Sequence, residues 1–137
     1  QDDGMDIGIC VIDKEKNTLS FSGANHTLLI VEHKELKEIK GDVFSVGSTF
    51  GKKDFSFSQT EVPIHPGTNL FLSTDGFADQ HGGNAKKKFT GKRLRETFLS
   101  ISQFICMEQK GKIISIHEEW KGGLPQLDDI LVVGLKV

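Results

Sequence analysis

The sequence predicts an α+β fold in which antiparallel strands come first, two helices follow and one strand closes the chain. Three observations predict it. Short apolar stretches broken by polar turns occupy the chain up to Ser73. Leu94, Phe98 and Ile101 then recur at helical spacing, and Ile113, Ile116, His117 and Trp120 repeat that pattern. Ile130 to Leu135 returns to an apolar run of strand length. At 137 residues the chain amounts to one domain or part of one.

Each element has its own warrant. Ile7, Ile9 and Val11 alternate with Gly8, Cys10 and Ile12, so both faces are apolar and a strand covered on both sides is expected. Asp13 to Asn17 is a polar turn. Leu19, Phe21 and Gly23 share one face of the next strand, with Ser20 and Ser22 on the other. Leu28-Leu29-Ile30-Val31 is a third strand, and His33-Lys34-Glu35 turns the chain into a short strand near Leu36 to Ile39. Gly41 to Lys53 reads as irregular, punctuated by Gly47 and Gly51. Phe55 and Phe57 alternate with Ser56 and Ser58, and a strand is expected there that continues through Glu61 to Ile64. Pro66-Gly67 signals a turn before the strand that ends in Ser73-Thr74. Phe77 to Gln80 reads as a helical turn, and His81-Gly82-Gly83-Asn84-Ala85 as a flexible loop. Thr90 is an N-cap for a helix through Ser102. A second helix is expected from Met107 to Trp120, although Gly111 weakens it by about 1 kcal/mol relative to alanine. Gly122-Gly123 and Pro125 end it.

Composition excludes several classes. The formal net charge is −2, so no nucleic-acid partner is expected. The cluster Lys86-Lys87-Lys88 with Lys92, Arg93 and Arg95 is local and reads first as a solvated loop and helix start. Cys10 and Cys106 sit among apolar residues and read as buried free thiols. No stretch has the length of a transmembrane span and no signal peptide is visible. A cytoplasmic location is expected, either free or as the cytoplasmic part of a larger membrane-attached sensor.

Chemistry points to two acidic junctions. Asn69 to Thr74 runs into Asp75-Gly76, and Asp128-Asp129 runs into Ile130 to Leu135. One carboxylate follows its strand and the other precedes its strand. If the strands are antiparallel neighbours, the end of the first meets the start of the second, and the carboxylates converge at one rim. Close carboxylates repel unless one is protonated or a cation lies between them. Magnesium or manganese, hard ions with oxygen ligands, suits such a site. Successive strand side chains alternate faces, so only one of Asp128 and Asp129 is expected to face the site. The His residues show no zinc spacing.

Leu70-Phe71-Leu72-Ser73-Thr74-Asp75-Gly76 resembles the strand-Asp-Gly motif of the metal-dependent protein phosphatases (PPM, type 2C). Leu127-Asp128-Asp129-Ile130-Leu131-Val132-Val133 resembles that family's last acidic motif, and Phe21 to Ile30 is similar to a segment of its bacterial SpoIIE-like branch. The resemblance implies an antiparallel β-sandwich flanked by helices. It implies that Asp75 and Asp128 help ligate Mn²⁺ or Mg²⁺, two ions in a complete domain, with Gly76 and Asp129 just behind them. Leu131 stands where the family often has Ser or Thr.

Asp3 and Asp6 read as a polar strand start, Asn25 and His26 as turn residues, and His81 as solvated. The family's other principal aspartate lies in an upstream Asp-x-Ser-Gly-His-Gly-like motif, and no such motif occurs here. Residues 1–137 are therefore expected to be the C-terminal portion of one SpoIIE-like domain, its N-terminal part absent. The implied activity of the complete domain is hydrolysis of phosphoserine or phosphothreonine on a bacterial regulatory protein by metal-activated water, in signal transduction with attached sensor domains. Alone, the chain is expected to be weakly active or inactive and to dimerise through exposed strand edges. The alternative is a non-catalytic signalling module that keeps the phosphatase-like scaffold.

Overall fold

Side-chain alternation along one central strand divides the core into two layers. The elements of the computed structural model, which describes residues 3–48 and 55–137, follow the chain as β1 (Ile7–Asp13), β2 (Thr18–Ala24), β3 (Thr27–Glu32), β4 (Glu35–Lys40), β5 (Thr60–Pro63), β6 (Asn69–Ser73), α1 (Gly76–Asp79), β7 (His81–Gly82), β8 (Lys87–Lys88), α2 (Gly91–Ile101), α3 (Cys106–Lys121) and β9 (Val132–Lys136). One antiparallel sheet has the order β1-β2-β5, a second the order β4-β3-β6-β9, and β7 and β8 form a small hairpin. Leu28 and Ile30 of β3 join Leu19, Phe21, Ile64 and Leu70 between the two sheets. Leu29 and Val31, of opposite parity, join Phe71, Phe77, Phe89, Leu94, Phe98 and Ile101 between the larger sheet and the helices. The unbroken run Leu28–Val31 is thus apolar because both faces are covered.

The helices follow their sequence signals. Thr90 caps α2, its Oγ1 accepting from Arg93 N–H at 3.4 Å. Leu94, Thr97, Phe98 and Ile101 form the buried stripe of α2, and the Phe98 ring stacks on Phe71 at 4.3 Å between centroids. Helix α3 runs through Gly111 and ends at Gly122, whose N–H donates to Glu118 O at 2.9 Å.

Four expectations are corrected. Ile9 and Val11 are 53% and 60% exposed, so β1 is covered on one face only. Phe55 and Phe57 lie outside β5 and pack with Phe44 as an aromatic cluster, with centroids at 4.6 and 5.1 Å. The expected loop at His81–Ala85 is part of the β7–β8 hairpin. Cys106 is exposed at the start of α3, whereas Cys10 is partly buried and burial pushes its thiol pKa up. Residues 49–54, including the Gly51 signal, lie outside the described residues.

The outer flank of the sandwich is open among the described residues. β1 and β9 are edge strands. Val132 packs on the helix-side core and Lys136 Nζ donates to Ser102 O and Phe104 O, so β9 turns its even-numbered side chains toward the helices. Val133 and Leu135 therefore face the sandwich interior, yet they are 49% and 47% exposed. The smaller sheet does not reach over them: a Cβ on Gly8 of β1 would lie 3.3 Å from Leu72 of β6, which sets β1 above β6 rather than above β9.

Candidate metal centre

The β6–β9 ladder carries the two acidic junctions to the same rim. Its last strand pair is Ser73 with Val132. One residue beyond, Thr74 continues the pairing in a different way. Its N–H donates to Leu131 O at 3.0 Å, its Oγ1 accepts from Leu131 N–H at 2.9 Å, and the same hydroxyl donates to Asp129 O at 3.0 Å. Its backbone and its side chain together thus hold two residues of the facing segment, Asp129 and Leu131.

Asp75 follows directly and occupies the N-cap position of α1, its carbonyl accepting from Asp79 N–H at 3.0 Å. Its carboxylate is exposed and makes no hydrogen bond or ion pair among the described residues. Gly76 lies against the facing segment: a Cβ there would sit 2.3 Å from Asp129 O. Only glycine allows this approach. Gly76→Ala should destabilise the protein by about 1–3 kcal/mol, because the obstacle is backbone that cannot rotate away. Chemical denaturation of the intact protein checks it, and an unchanged midpoint would show that the two segments part without cost.

The acidic doublet divides its tasks. Asp128 Oδ1 accepts from Asp129 N–H at 2.7 Å, and Asp128 O accepts from Gln126 Nε2 at 2.8 Å. The Asp129 carboxylate is exposed with no partner among the described residues, while its backbone oxygen is engaged by Thr74.

The remaining sequence candidates lie elsewhere or serve the scaffold. Asp6 accepts from Asn25 Nδ2 at 3.3 Å and from Ser45 Oγ. Asn25 takes the left-handed conformation with φ 52°, and His26 O accepts from Gly41 N–H at 2.9 Å. His65 Nδ1 lies 2.6 Å from Glu32 Oε1. His117 is buried against Phe77. His81 is half-buried, not solvated, and its Nδ1 has no hydrogen-bond partner among the described residues.

Two features escaped the sequence reading. The first is the Thr74 bridge, for which the only signal is a hydroxyl residue directly before Asp75. The second is the β7–β8 hairpin. Gly82 abuts Trp120 so closely that a Cβ would lie 1.8 Å from Trp120 O, and Gly83 N–H donates to that oxygen at 2.9 Å. Phe89 N–H donates to Gln80 O at 2.9 Å, and Trp120 Nε1 donates to the same oxygen at 2.9 Å. The hairpin is thereby fixed beside α1, and Lys88 Nζ reaches Asp79 Oδ1 at 2.8 Å. That hydrogen bond, with the negative charges of Asp79 and Asp75, holds the Lys88 pKa above its ordinary value.

The model of the Stage II sporulation protein E (SpoIIE) family matches residues 2–137. The chain belongs to the SpoIIE family. Among solved structures, this SpoIIE-family chain is similar to the SiaA-PP2C domain of Pseudomonas aeruginosa, with 30% identity and a TM-score of 0.87 over 96% of this chain and 51% of that one. It is similar to the phosphatase domain of SpoIIE from Bacillus subtilis, with 12% identity and a TM-score of 0.68 over 96% and 57%. It is also similar to the catalytic domain of the serine/threonine phosphatase PstP in complex with two manganese ions, with 15% identity and a TM-score of 0.62 over 96% and 57%; PstP is from Mycobacterium tuberculosis. At the last two identities the likeness is one of fold. No curated protein matches the chain. The antiparallel sandwich with helices is thus a PP2C-type phosphatase fold, and the SpoIIE-family chain spans about half the length of the solved domains that it matches.

The donor chemistry at the rim fits a hard divalent cation. Both junctions offer carboxylate oxygens, which magnesium and manganese favour. Asp75 has no hydrogen-bond partner to surrender among the described residues, and Asp128 has one carboxylate oxygen not engaged by Asp129 N–H. Among the described residues no group of three or more His, Cys, Asp or Glu side chains is arranged to hold a metal. The rim of this SpoIIE-family chain accordingly presents two candidate oxygen donors, Asp75 and Asp128.

Proposed function

We propose that the chain is the C-terminal portion of a metal-dependent protein serine/threonine phosphatase domain acting on a phosphorylated regulatory protein in a bacterial signalling pathway. The observation that carries this reading is the junction of the Asp75 and Asp128-Asp129 segments at one end of the β6–β9 ladder, tied by Thr74 and closed by Gly76. Asp75 and Asp128 are the proposed ligands of Mn²⁺ or Mg²⁺. A bound divalent ion supplies charge neutralisation at phosphate and an acidified water. The chain's own part is to orient. Thr74 fixes the height of the Asp128-Asp129 segment against Asp75. Gly76 sets the spacing, and Asp129 contributes its backbone oxygen to the tie.

The open flank supports the same reading. The edges of β1 and β9, with Val133 and Leu135 uncovered between them, match the place where further strands of a larger sandwich would pair and pack. The proposed remainder of the domain lies upstream and carries the additional aspartate. The domain is proposed to be cytoplasmic, with sensor domains attached. The isolated 137-residue chain should self-associate through these edges. A sedimentation profile that stays monomeric as concentration rises would count against that.

The test is phosphate release from phosphoserine and phosphothreonine peptides by the intact protein with manganese or magnesium. Release that depends on the metal is expected. Binding of the phosphopeptide without release under any metal condition would favour the non-catalytic module and sink the enzymatic reading.

A further inference from the structure

The lysine-rich hairpin has a place in the fold that solvation alone does not explain. Its two strands are only two residues each, yet it is fixed by the Gly82–Trp120 contact and by the Gly83 and Phe89 hydrogen bonds. The turn closes through Lys86 N–H to Gly83 O at 3.2 Å, with Lys86 at φ 49°. Three lysines are thus carried on a defined support. Lys88 is neutralised by Asp79, which lies one helical turn from Asp75. Lys86 and Lys87 are exposed, with no ion pair among the described residues. A further positive charge stands close by: Arg93 lies 4.4 Å above the ring of Trp120, whose carbonyl holds the hairpin. By contrast, Arg95, two residues further along α2, is spent on Glu38 at 3.2 Å.

We infer that the β7–β8 hairpin docks an acidic peptide segment flanking the phosphorylated residue of the substrate. The inference rests on the phosphatase reading and deepens it by naming the substrate's chemistry. Lys88, paired with Asp79 beside the Asp75 rim, marks the inner end of the surface. Lys86 and Lys87 mark the outer end, where unneutralised positive charge meets solvent. A peptide with its phosphate at the rim and Asp or Glu several residues away would bring those carboxylates to the lysines. The surplus is a few charges on a chain of formal net charge −2, which suits a short acidic segment rather than a nucleic-acid backbone.

Three labelled phosphoserine peptides with acidic, neutral and basic flanks test it, their affinities for the intact protein being read by fluorescence anisotropy. The acidic-flanked peptide should bind about fivefold more tightly than the neutral one, a ratio in the range of a few surface charge pairs. Lys86→Glu with Lys87→Glu should abolish that preference and favour the basic-flanked peptide, a gain that a damaged fold would not produce. Equal affinities for the three peptides, or an acidic preference that survives the double substitution, would overturn the inference. Phosphate release followed in parallel separates the two questions. If no peptide is hydrolysed, the phosphatase reading fails, and the flank ratio still decides the hairpin.

Discussion

Asp75→Asn should lower metal-dependent phosphate release by about 100-fold or more, and Asp128→Asn should do the same, through loss of an anionic oxygen ligand. The substitution keeps shape and removes one charge. The Asp75 carboxylate accepts no hydrogen bond among the described residues, and its attraction for Lys88 acts between exposed groups, so the unfolding midpoint should change little. At position 128 the amide oxygen can still accept from Asp129 N–H, as Oδ1 does now at 2.7 Å, so the local turn is retained. Calorimetric manganese titration of the intact protein supplies a readout besides activity. Wild-type manganese affinity in the double variant would end the metal assignment at this rim.

Phe98→Ala should destabilise the protein by about 3–5 kcal/mol. Phe98 is 0% exposed at the centre of the helix-side core, and its ring lies parallel to that of Phe71, with 4° between the planes. About 0.5–1.5 kcal/mol of the loss belongs to the ring pair and the rest to transfer and cavity. Domains of this kind are stable by about 5–15 kcal/mol in total, so the variant gives up a large share of its margin. Phe71 lies two residues before Ser73 on the strand that leads to Asp75, so the helix layer directly supports the rim. Urea unfolding measures the loss. A cost below about 1 kcal/mol would mean that the core collapses around the void, and that the stack contributes little to support of β6.

Much of this architecture was legible because the periodicity is strong where burial is strong. Leu94, Phe98 and Ile101 fit one helical face and are buried along it. Leu28 to Val31 is apolar at every position because a sheet lies on one side and helices on the other. Ile7 to Ile12 has the same appearance, yet Ile9 and Val11 are exposed. The pattern records which surface is apolar but not which part of a protein covers it. Phe55 and Phe57 alternate like strand residues and instead form a cluster with Phe44, a contact that local spacing does not encode. The hairpin was illegible for a related reason. Two-residue strands have no period, and the anchor of Gly82 is a backbone oxygen 38 positions away, at Trp120. The acidic junctions were visible as residues. Their meeting depended on β6 and β9 being neighbours, which is a property of topology.

The Thr74 hydroxyl has a thermodynamic consequence for whatever cation reaches the rim. Fixing one residue's backbone costs about 1–2 kcal/mol of conformational entropy. Because Asp129 O and Leu131 N–H are already tethered by protein groups, the segment between them is ordered before any ligand arrives. Its rigidity is therefore an expense of folding, not of ion capture, and intrinsic affinity is spared that deduction.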